Sequence, residues 1–334
     1  MSSSLPLPHL LALDWGTSRL RAFLMCAGEV VAERESAHGI QHLPEPGPGG
    51  YATALAQLAG DWLEHQPELP LLACGMVGSA QGWREAPYVP CPADAAALAA
   101  QAVPVETAHG RPMWIVPGVS CDFAGAAPGR LPDVMRGEET QIVGALAAET
   151  VTAVDAEDLA ATLGARRIYI LPGTHSKWAT VEDGRIVRFS TDLTGELYAV
   201  LRAHSILGRL MPTEVAPFDD AAFARGVQVG ARGEGGLTHQ LFSVRTLALA
   251  GELAPAALPD YLSGLLIGHE VANELRAAEA ALSAAVPALI GDPALCARYA
   301  RAFALLAAPA PQVLSNTAPR GLWRIAQARG LIPL

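Results

Sequence analysis

Two segments of this chain share a pattern of three short apolar runs joined by tight turns, and this repeat constrains the fold more than any other feature. The first copy begins at residues 10–13 and turns at Gly16, and the second begins at residues 168–171 and turns at Gly173. In both copies the next Gly-containing turn follows at nearly the same spacing. A duplication with so long a period predicts two similar domains, each of which presents its first turn to a cleft between them.

The first turn has the composition of a phosphate-binding loop. Gly16 has no Cβ to keep a ligand away from the backbone, and Thr17 and Ser18 add hydroxyl donors to the main-chain N–H groups. Asp14 ends the preceding apolar run, and one such carboxylate can hold a hydrated Mg²⁺ ion that is bound to nucleotide phosphates. Taken alone, these residues also fit a plain β-turn, so the second copy of the pattern is what favours a nucleotide site.

A pair of adjacent acids, Glu138 and Glu139, follows Arg136 and precedes a predicted helix over residues 142–149. Acidic residues are common at helix N-termini because they interact favourably with the helix dipole. A catalytic acid or base held among main-chain donors would have the same appearance. The residues themselves leave both interpretations open for each glutamate.

A long segment rich in Gly and Pro, residues 75–92, predicts an ordered loop. It contains Trp83 and Tyr88, which favour either a compact loop packed on its own aromatic side chains or a substrate-binding loop. Further along the chain, residues 288–290 predict a strand that ends in a turn at Gly291. A turn at this place suits an adenosine or a phosphate group, and a plain strand-to-helix turn fits equally well.

Apolar residues recur at helical spacing in several other segments. They predict helices near residues 51–63, 93–102, 197–210, 218–231, 261–282 and 319–329. In the long helix at 261–282, Gly264 and Gly268 are four residues apart, and we expect a neighbouring element to pack closely against them.

The composition limits the classes of partner. With 334 residues, of which 51% are hydrophobic, the chain can bury large cores, so disorder is excluded as its main state. A net charge of −10 and an aromatic content of 6% do not favour nucleic-acid binding, which uses basic surfaces and stacking platforms. The five cysteines form no Cys-x-x-Cys pair, which suits a reducing compartment. The sequence shows neither a signal peptide nor a membrane-spanning run, so we expect a cytoplasmic protein that does not associate with membranes.

Five segments together resemble a known family. They are residues 13–18, 82–88, 134–141, 171–178 and 261–268. Paired phosphate turns on duplicated halves resemble the hexokinase, Hsp70 and actin superfamily, and within it these segments resemble the 2-dehydro-3-deoxygalactonokinase family. The resemblance implies an α/β fold of two duplicated actin/hexokinase-like (ribonuclease H-like) domains with a nucleotide cleft between them. It places the domains at residues 8–140 and 141–334, and the last helix could pack back on the first domain.

The resemblance also implies an activity. The family uses ATP and Mg²⁺ to phosphorylate the terminal (C6) hydroxyl of 2-dehydro-3-deoxy-D-galactonate in galactonate catabolism. Asp14 would then hold the metal ion, and Glu138 or Glu139 would be the base that accepts the proton of the attacking hydroxyl. Related sugar kinases place their acidic base at the start of a helix before the second turn, and Glu138 ranks slightly ahead of Glu139.

The remaining candidate residues fall into two groups. ATP is expected at Gly16, Thr17, Ser18, Gly173, Thr174, His175, Ser176, Lys177 and Gly291. The acceptor is expected at Arg19, Arg21, Ser79, Trp83, Arg84 and Arg136. The arginines are candidates because arginine binds a carboxylate through two parallel hydrogen bonds. In the superfamily the second turn usually carries an Asp where this chain has Leu171. His175 or Lys177 could neutralise phosphate charge there instead, unless Lys177 is simply a solvated strand residue.

Two other functions fit part of the pattern. An exopolyphosphatase-like hydrolase of the same superfamily also carries a Gly-Glu-Glu run before its second turn, but the net charge of −10 does not favour a polyphosphate channel. A non-catalytic ATP-binding regulator would be favoured by loss of Asp14 or of both glutamates, and all three acids are present. We expect small-molecule partners, ATP and a sugar acid, and the chain could form a homodimer.

Overall fold

The computed structural model describes residues 9–108, 110–123, 131–151, 166–214, 216–277 and 287–333. Packing groups the chain into two compact units. Unit 1 consists of residues 1–165, 181–189 and 316–334, and unit 2 consists of residues 166–180 and 190–315. These units are defined by contacts between residues, and the predicted domain boundary after residue 140 stays a prediction.

The first half of the chain forms two sheets. Its strands are β1 (Leu10–Trp15), β2 (Leu20–Cys26), β3 (Glu29–Ser36), β4 (Leu71–Cys74), β5 (Tyr88–Pro90), β6 (Val103–Glu106), β7 (Pro112–Ile115), β8 (Gly118–Cys121) and β9 (Asp133–Met135). The larger sheet has the order β3-β2-β1-β4-β7-β6, and the smaller one has the order β5-β8-β9.

The second half of the chain forms one more sheet. Its strands are β10 (Arg167–Leu171), β11 (Ser176–Glu182), β12 (Arg185–Asp192), β13 (Ala288–Ile290) and β14 (Gln312–Leu314), in the order β12-β11-β10-β13-β14. This order repeats β3-β2-β1-β4-β7. In both sheets three consecutive strands are followed by two strands that add in parallel beside the first one. The repeat confirms the predicted fold class of two duplicated actin/hexokinase-like halves.

Helices connect and cover these strands. They are α1 (Pro48–His65), α2 (Ala95–Ala100), α3 (Glu138–Val151), α4 (Thr194–His204), α5 (Asp220–Arg232), α6 (Gly236–Leu249), α7 (Leu258–Ala277), α8 (Pro293–Leu305) and α9 (Ala318–Arg329). Short 3₁₀ turns occupy Met76–Gly78, Gly208–Leu210 and Pro255–Ala257. Within the described part of the chain, we find no helix with the length and apolar character needed to cross a bilayer.

The structure corrects the sequence predictions in three places. Helix α3 begins at Glu138 and not at residue 142, so both candidate bases lie in its first turn. Residues 75–92 are not one continuous loop, because they contain a 3₁₀ turn and strand β5, which pairs with β8. Helix α6 was missed because only Gln240 and Val244 of its residues are buried, which leaves little apolar periodicity. The last residues of the predicted helix at 261–282, from 278 onward, lie outside the described residues.

Each unit has an apolar core of its own. In unit 1, the buried side chains of Tyr51 and Leu55 on α1 pack with Leu11, Leu13 and Trp15 of β1. In unit 2, Phe223 of α5 and Phe303 of α8 pack in the cluster that covers β10 and β13. Strands β1 and β10 are almost entirely buried, as their continuous apolar runs predict.

Helices α5 and α7 of unit 2 approach each other through glycines. A Cβ at Gly264 would lie 2.1 Å from the carbonyl oxygen of Phe223, and a Cβ at Gly268 would lie 2.5 Å from that of Val227. Gly226 on α5 has an equally close neighbour, the carbonyl oxygen of Tyr261 at 2.2 Å. The predicted close packing at Gly264 and Gly268 is confirmed.

This crossing predicts opposite effects of two glycine-to-alanine changes. Gly264→Ala should lower the free energy of unfolding by about 1–3 kcal/mol, because the added methyl group must push the two helices apart. Gly60→Ala in α1 is the matched control. A Cβ there would meet only the Ala56 Cβ, at 3.9 Å, so the better helix propensity of Ala should stabilise by about 0.5–1 kcal/mol. Urea unfolding measures the free energy of unfolding of both variants. Equal changes in Gly264→Ala and Gly60→Ala would contradict the close crossing of α5 and α7.

Candidate active site

The end of β1 is the reference point of the site in unit 1. Strand β1 pairs in parallel with β4, with Asp14 opposite Cys74, and antiparallel with β2, with Asp14 opposite Arg21. Because parallel strands end at the same edge of a sheet, the Asp14 carboxylate lies beside the turn that follows Cys74. Open α/β sheets bind ligands at this edge.

Gly75 and Gly137 bring a third segment to the same edge. Gly75 has a φ of +92°, and a Cβ there would lie 2.8 Å from the carbonyl oxygen of Trp15 and 3.6 Å from Asp14 Oδ1. Gly137 has a φ of +107°, and a Cβ there would lie 3.3 Å from the Gly75 Cα. Residues with a side chain rarely adopt such φ values. The two glycines therefore allow the start of α3 to approach Asp14.

The two acids at the start of α3 have different surroundings. Glu139 is fully buried, and its carboxyl group accepts hydrogen bonds from the Gly137 N–H at 2.6 Å and from the Thr140 hydroxyl at 2.9 Å. Burial, with a smaller contribution from the charge of Glu138, raises the pKa of Glu139 to about 8. Glu138 is only partly buried, and it accepts a hydrogen bond from the Arg136 N–H at 3.0 Å. Of the two acids, Glu138 is the more exposed one.

The C-terminal segment supports helix α3. The Thr317 hydroxyl, just before α9, donates to the carbonyl oxygen of Gln141 at 2.7 Å, and α9 packs along α3. The side chain of Asn316 accepts a hydrogen bond from the Ala318 N–H at 3.1 Å, which fixes the start of α9. Residues near the end of the chain therefore help to fix the helix that carries the two acids.

The first turn is held by the loop that follows β3. The carbonyl oxygens of Gly16 and Thr17 accept hydrogen bonds from the Ile40 and Gln41 N–H groups, each at 3.1 Å. The Gly16 N–H is used inside the turn, where it donates to the carbonyl oxygen of Arg19 at 2.9 Å. These hydrogen bonds fix the main chain of the turn, in which Thr17 is partly exposed and Ser18 is exposed.

The arginines beside this turn have partners in the chain. Arg21 forms an ion pair with Asp14 Oδ2, and Arg19 forms an exposed ion pair with Glu35 at 3.4 Å. The predicted role of these two arginines in acceptor binding stays a prediction.

Asp14 offers a carboxylate beside this turn, and one carboxylate is enough for one kind of metal ion. The described residues contain no group of three or more His, Cys, Asp or Glu that could hold a metal ion. Mg²⁺ does not need such a group when it arrives with a nucleotide, because it keeps several waters and binds one or two carboxylates together with phosphate oxygens. The donor set therefore fits a nucleotide-bound Mg²⁺ better than a resident metal centre.

The aromatic residue predicted to bind substrate lies behind the first turn. The Trp83 ring is stacked on Tyr51 with 5.6 Å between centroids, and it meets Trp15 edge to face at 6.0 Å. Its neighbour Arg84 is exposed. Trp83 is thus partly buried against the core, and its predicted contact with substrate stays a prediction.

Arg136 and Ser79 carry polar atoms that the protein does not satisfy. The Arg136 guanidinium lies over the Tyr88 ring, 4.4 Å from its centroid, and one amino group donates to the carbonyl oxygen of Ala86 at 2.8 Å. Its Nε and Nη1 groups and the Ser79 hydroxyl are buried without a hydrogen-bond partner among the described residues. Nη1 would lie only 3.0 Å from a Cβ on Gly78, the neighbour of Ser79. Buried unpaired donors of this kind are uncommon and point to a missing partner.

The second turn, in unit 2, is fixed by the start of helix α4. The Glu196 N–H donates to the carbonyl oxygen of Thr174 at 2.9 Å, and a Cβ at Gly195 would lie 2.2 Å from the carbonyl oxygen of Gly173. The side chains of Glu196 and His175 are in hydrogen-bond contact, with 2.5 Å between Glu196 Oε2 and His175 Nε2. At Gly173 itself a Cβ would meet only the His175 carbonyl oxygen, at 3.8 Å, so this side of the turn is open.

The two polar residues after this turn point to opposite sides of β11. Ser176 is fully buried and donates to Glu270 Oε1 at 2.7 Å. Lys177 is also buried, with 5% of its surface exposed, and its Nζ donates to the Thr191 hydroxyl at 2.6 Å. The interpretation of Lys177 as a solvated strand residue is therefore wrong, and its contact with phosphate stays a prediction.

Gly291 and Gly75 occupy corresponding places in the two halves: Gly291 lies beside the second turn, and Gly75 lies beside the first. It follows β13, which pairs in parallel with β10, and a Cβ there would lie 3.3 Å from the carbonyl oxygen of Pro172. The next residue, Asp292, caps α8 by accepting a hydrogen bond from the Leu295 N–H at 2.9 Å. The predicted nucleotide role of Gly291 stays a prediction, and the structure brings this residue to the second turn.

Sequence reasoning missed several residues that build the site. Gly75 and Gly137 lie in segments that the sequence singles out, but only the folded structure, in which a Cβ at Gly137 would lie 3.3 Å from the Gly75 Cα, shows that they meet. Glu270 was missed entirely, because an acid inside a long helix normally faces solvent and here it is buried. A signal was available, since Leu266 and Ile267, which precede Glu270 by one helical turn on the same face, are apolar.

Paired turns on duplicated halves define the class of actin/hexokinase-like proteins, which contains kinases and ATPases. A family model described as 2-keto-3-deoxy-galactonokinase matches residues 14–325. The chain therefore belongs to the 2-keto-3-deoxy-galactonokinase family, and it is an ATP-using kinase.

Individual relatives agree with this assignment. A 2-dehydro-3-deoxygalactonokinase of Escherichia coli (strain K12) is 34% identical over 321 residues, which is 95% of this chain and 97% of that protein. A Rhizobium meliloti (strain 1021) protein named DgoK1 is 37% identical over 79% of both chains. A crystal structure from Sinorhizobium meliloti that carries the same family name has a TM-score of 0.81 and 32% identity, and the match covers 98% of this chain and 100% of that one.

The raised pKa of Glu139 predicts a pH-dependent stability. The folded state keeps the Glu139 proton up to about pH 8, whereas the unfolded chain loses it near the ordinary value of 4.5. The protonated Glu139 therefore contributes its full stabilisation of the folded state below about pH 4.5. This contribution is lost as the pH rises to about 8, and the free energy of unfolding falls by at most about 1.4 kcal/mol per pH unit in this range.

Glu139→Gln should remove this slope. Its amide oxygen can accept from the Gly137 N–H, and its NH₂ group can donate to the Thr140 hydroxyl oxygen, which reverses the direction of that hydrogen bond but keeps both partners. Urea unfolding at pH 5 and pH 8 should show a variant that gains stability relative to the parent protein as the pH rises. Parallel pH profiles for the two proteins would show that Glu139 is ionised in the folded state.

Proposed function

We propose that this protein transfers the terminal phosphoryl group of ATP to the C6 hydroxyl of 2-dehydro-3-deoxy-D-galactonate, in galactonate catabolism. The observation that carries the proposal is the meeting of Asp14, the Gly16 turn and the accessible Glu138 at one sheet edge, in a chain of this kinase family. Phosphoryl transfer requires little beyond such positioning and charge neutralisation. Since ATP is the phosphate donor, the proposal includes a cytoplasmic location.

Both turns are proposed to bind phosphate oxygens through main-chain N–H groups and hydroxyls. Asp14 would hold Mg²⁺ through its waters, and when bound the ion would neutralise phosphate charge. The ion pair with Arg21 keeps the Asp14 side chain at the end of β1, where a nucleotide-bound ion could reach its second oxygen.

Glu138 is assigned as the base. A primary hydroxyl is a weak acid that loses its proton late in a loose transition state, so a carboxylate within hydrogen-bond reach orients it and then accepts the proton. Glu138 is partly exposed and is oriented by the Arg136 N–H, whereas Glu139 is buried and favours its neutral form. Burial therefore separates the roles of the two neighbouring acids.

Glu138→Gln should lower kcat by roughly 10²-fold or more and leave the affinity for ATP nearly unchanged, the usual scale for loss of a general base. Steady-state kinetics with both substrates measures the effect. Glu139→Gln is the matched comparison, one residue away on the same helix, and it should keep kcat within about tenfold. A larger kcat loss in Glu139→Gln than in Glu138→Gln would reverse the assignment.

The acceptor carboxylate is assigned to Arg136 and Ser79. The acceptor carries a carboxylate, and the unpaired Nε, Nη1 and hydroxyl groups of these residues are the hydrogen-bond donors that such a ligand would satisfy. Arg136 also precedes Glu138 by two residues, so the same segment would hold the carboxylate and contact the reacting hydroxyl. Arg84, also predicted as a carboxylate partner, is exposed in the same loop region.

Arg136→Met should raise the KM for the acceptor about 10- to 100-fold, because hydrogen bonds to charged groups contribute about 1.5–3 kcal/mol each. The KM for ATP should stay within twofold. Arg84→Met is the control that removes an exposed arginine nearby, and it should change the acceptor KM by less than threefold. An unchanged acceptor KM in Arg136→Met would place the carboxylate elsewhere.

ADP release in the presence of several 2-keto-3-deoxy sugar acids tests the proposed substrate. We expect the highest kcat/KM for 2-dehydro-3-deoxy-D-galactonate and little ADP without an acceptor. Rapid ADP release without acceptor would favour a hydrolase, and ATP binding without any turnover would favour a regulator. A clear preference for another stereoisomer would overturn the substrate assignment alone.

A further inference from the structure

Glu270 of helix α7 is a buried carboxylate surrounded by four donors, and it lies outside the residues assigned to catalysis. Only 1% of its surface is exposed. Its Oε1 accepts hydrogen bonds from the Ser176 hydroxyl at 2.7 Å and from Trp178 Nε1 at 2.8 Å. Its Oε2 accepts from the Thr194 hydroxyl and from the Tyr299 hydroxyl, the latter at 2.6 Å.

Two of these donors flank the second turn. Ser176 is the first residue of β11, directly after the turn at Gly173. Thr194 is the first residue of α4, whose next two residues contact the turn: Gly195 lies against the Gly173 carbonyl group, and Glu196 donates to Thr174. One carboxylate therefore connects the strand that leaves the turn with the helix that supports it.

The cost of breaking this arrangement is high. A buried carboxylate oxygen without its donors, or a buried hydroxyl without its acceptor, loses the hydrogen bonds that water would otherwise provide. A shift of the turn relative to α4 would separate Ser176 from Thr194 and leave at least one such group unpaired. Buried networks of this kind favour a single arrangement when every member is satisfied.

We propose that Glu270 is a positioning residue for ATP, which fixes the second turn in its binding conformation before the nucleotide arrives. The inference rests on the proposed function, in which this turn binds phosphate. Glu270 does not touch the nucleotide in this account. It acts through Ser176 and Thr194, and the main-chain groups of the turn make the contact.

The test compares donors of the same carboxylate that lie at different places. Thr194→Val removes the hydroxyl at the start of α4 and keeps the volume of the side chain. Tyr299→Phe is the control on another element: it removes the α8 hydroxyl that donates to the same Oε2 atom and lies 3.4 Å from the Ser176 hydroxyl, and it keeps the hydrogen bond from Ser176 to Glu270 Oε1. Thr194→Ser restores the hydroxyl. Calorimetric titration with ATP, steady-state kinetics and urea unfolding are measured for all three variants.

Thr194→Val should raise the ATP Kd and KM about tenfold or more, with kcat and the acceptor KM within about twofold. Thr194→Ser should return the ATP Kd to within about threefold of the parent value. Tyr299→Phe should lower stability but change the ATP Kd by less than about threefold. Equal changes of ATP Kd in Tyr299→Phe and Thr194→Val, or no change in Thr194→Val, would overturn the positioning role.

The Gly173→Val variant tests whether the second turn binds ATP, independently of the role of Glu270. A side chain at Gly173 fits the folded turn but blocks the approach of phosphate to its backbone, so the ATP Kd should rise. If Gly173→Val weakens ATP binding and Thr194→Val does not, the inference about Glu270 fails and the phosphate turn stands. If Gly173→Val leaves the ATP Kd unchanged, the turn does not bind ATP, and both fail.

Discussion

The parallel pairing of β1 with β4 is the constraint on which the site in unit 1 depends. It places the end of the strand that carries Asp14 beside Gly75, and the absence of a side chain at Gly75 and Gly137 lets the start of α3 reach the same point. Hydrogen bonds from the loop after β3 and from the C-terminal segment then hold the Gly16 turn and α3 from outside. A carboxylate, a phosphate turn and a helix start are thus brought together by backbone geometry.

The two halves share one strand plan and carry different side chains beside their turns. Gly291 approaches Pro172 in unit 2 as Gly75 approaches Trp15 in unit 1. Unit 2 has Leu171 where unit 1 has an acid, and it instead buries Glu270 behind its turn. In our account, unit 1 supplies the metal carboxylate and the base, and unit 2 supplies a rigid turn for phosphate. The different burial of Glu138 and Glu139 also distinguishes their proposed roles, whereas the sequence alone ranks Glu138 only slightly ahead as the base.

The duplicated strand plan could be predicted from the sequence because each apolar run is short and is bounded by Gly-containing turns. The packing of Gly264 and Gly268 was predictable for a similar reason, since their spacing is that of one helix face. The environment of Glu139, the ion pair of Arg21 with Asp14 and the network of Glu270 were not predictable. Each depends on side chains that are distant in the sequence and meet only through strand register or helix packing. The buried Lys177 illustrates the same limit, because strand alternation does not show that both faces of β11 are covered.

Phosphorus NMR of the reaction product tests the central claim of this account most directly. The wild-type protein is incubated with ATP, Mg²⁺ and 2-dehydro-3-deoxy-D-galactonate, and the products are observed without separation. The account predicts ADP together with one new phosphomonoester signal that is coupled to the two protons of a CH₂ group, as expected for a C6 ester. Inorganic phosphate in place of the ester, or an ester coupled to a single CH proton, would contradict it.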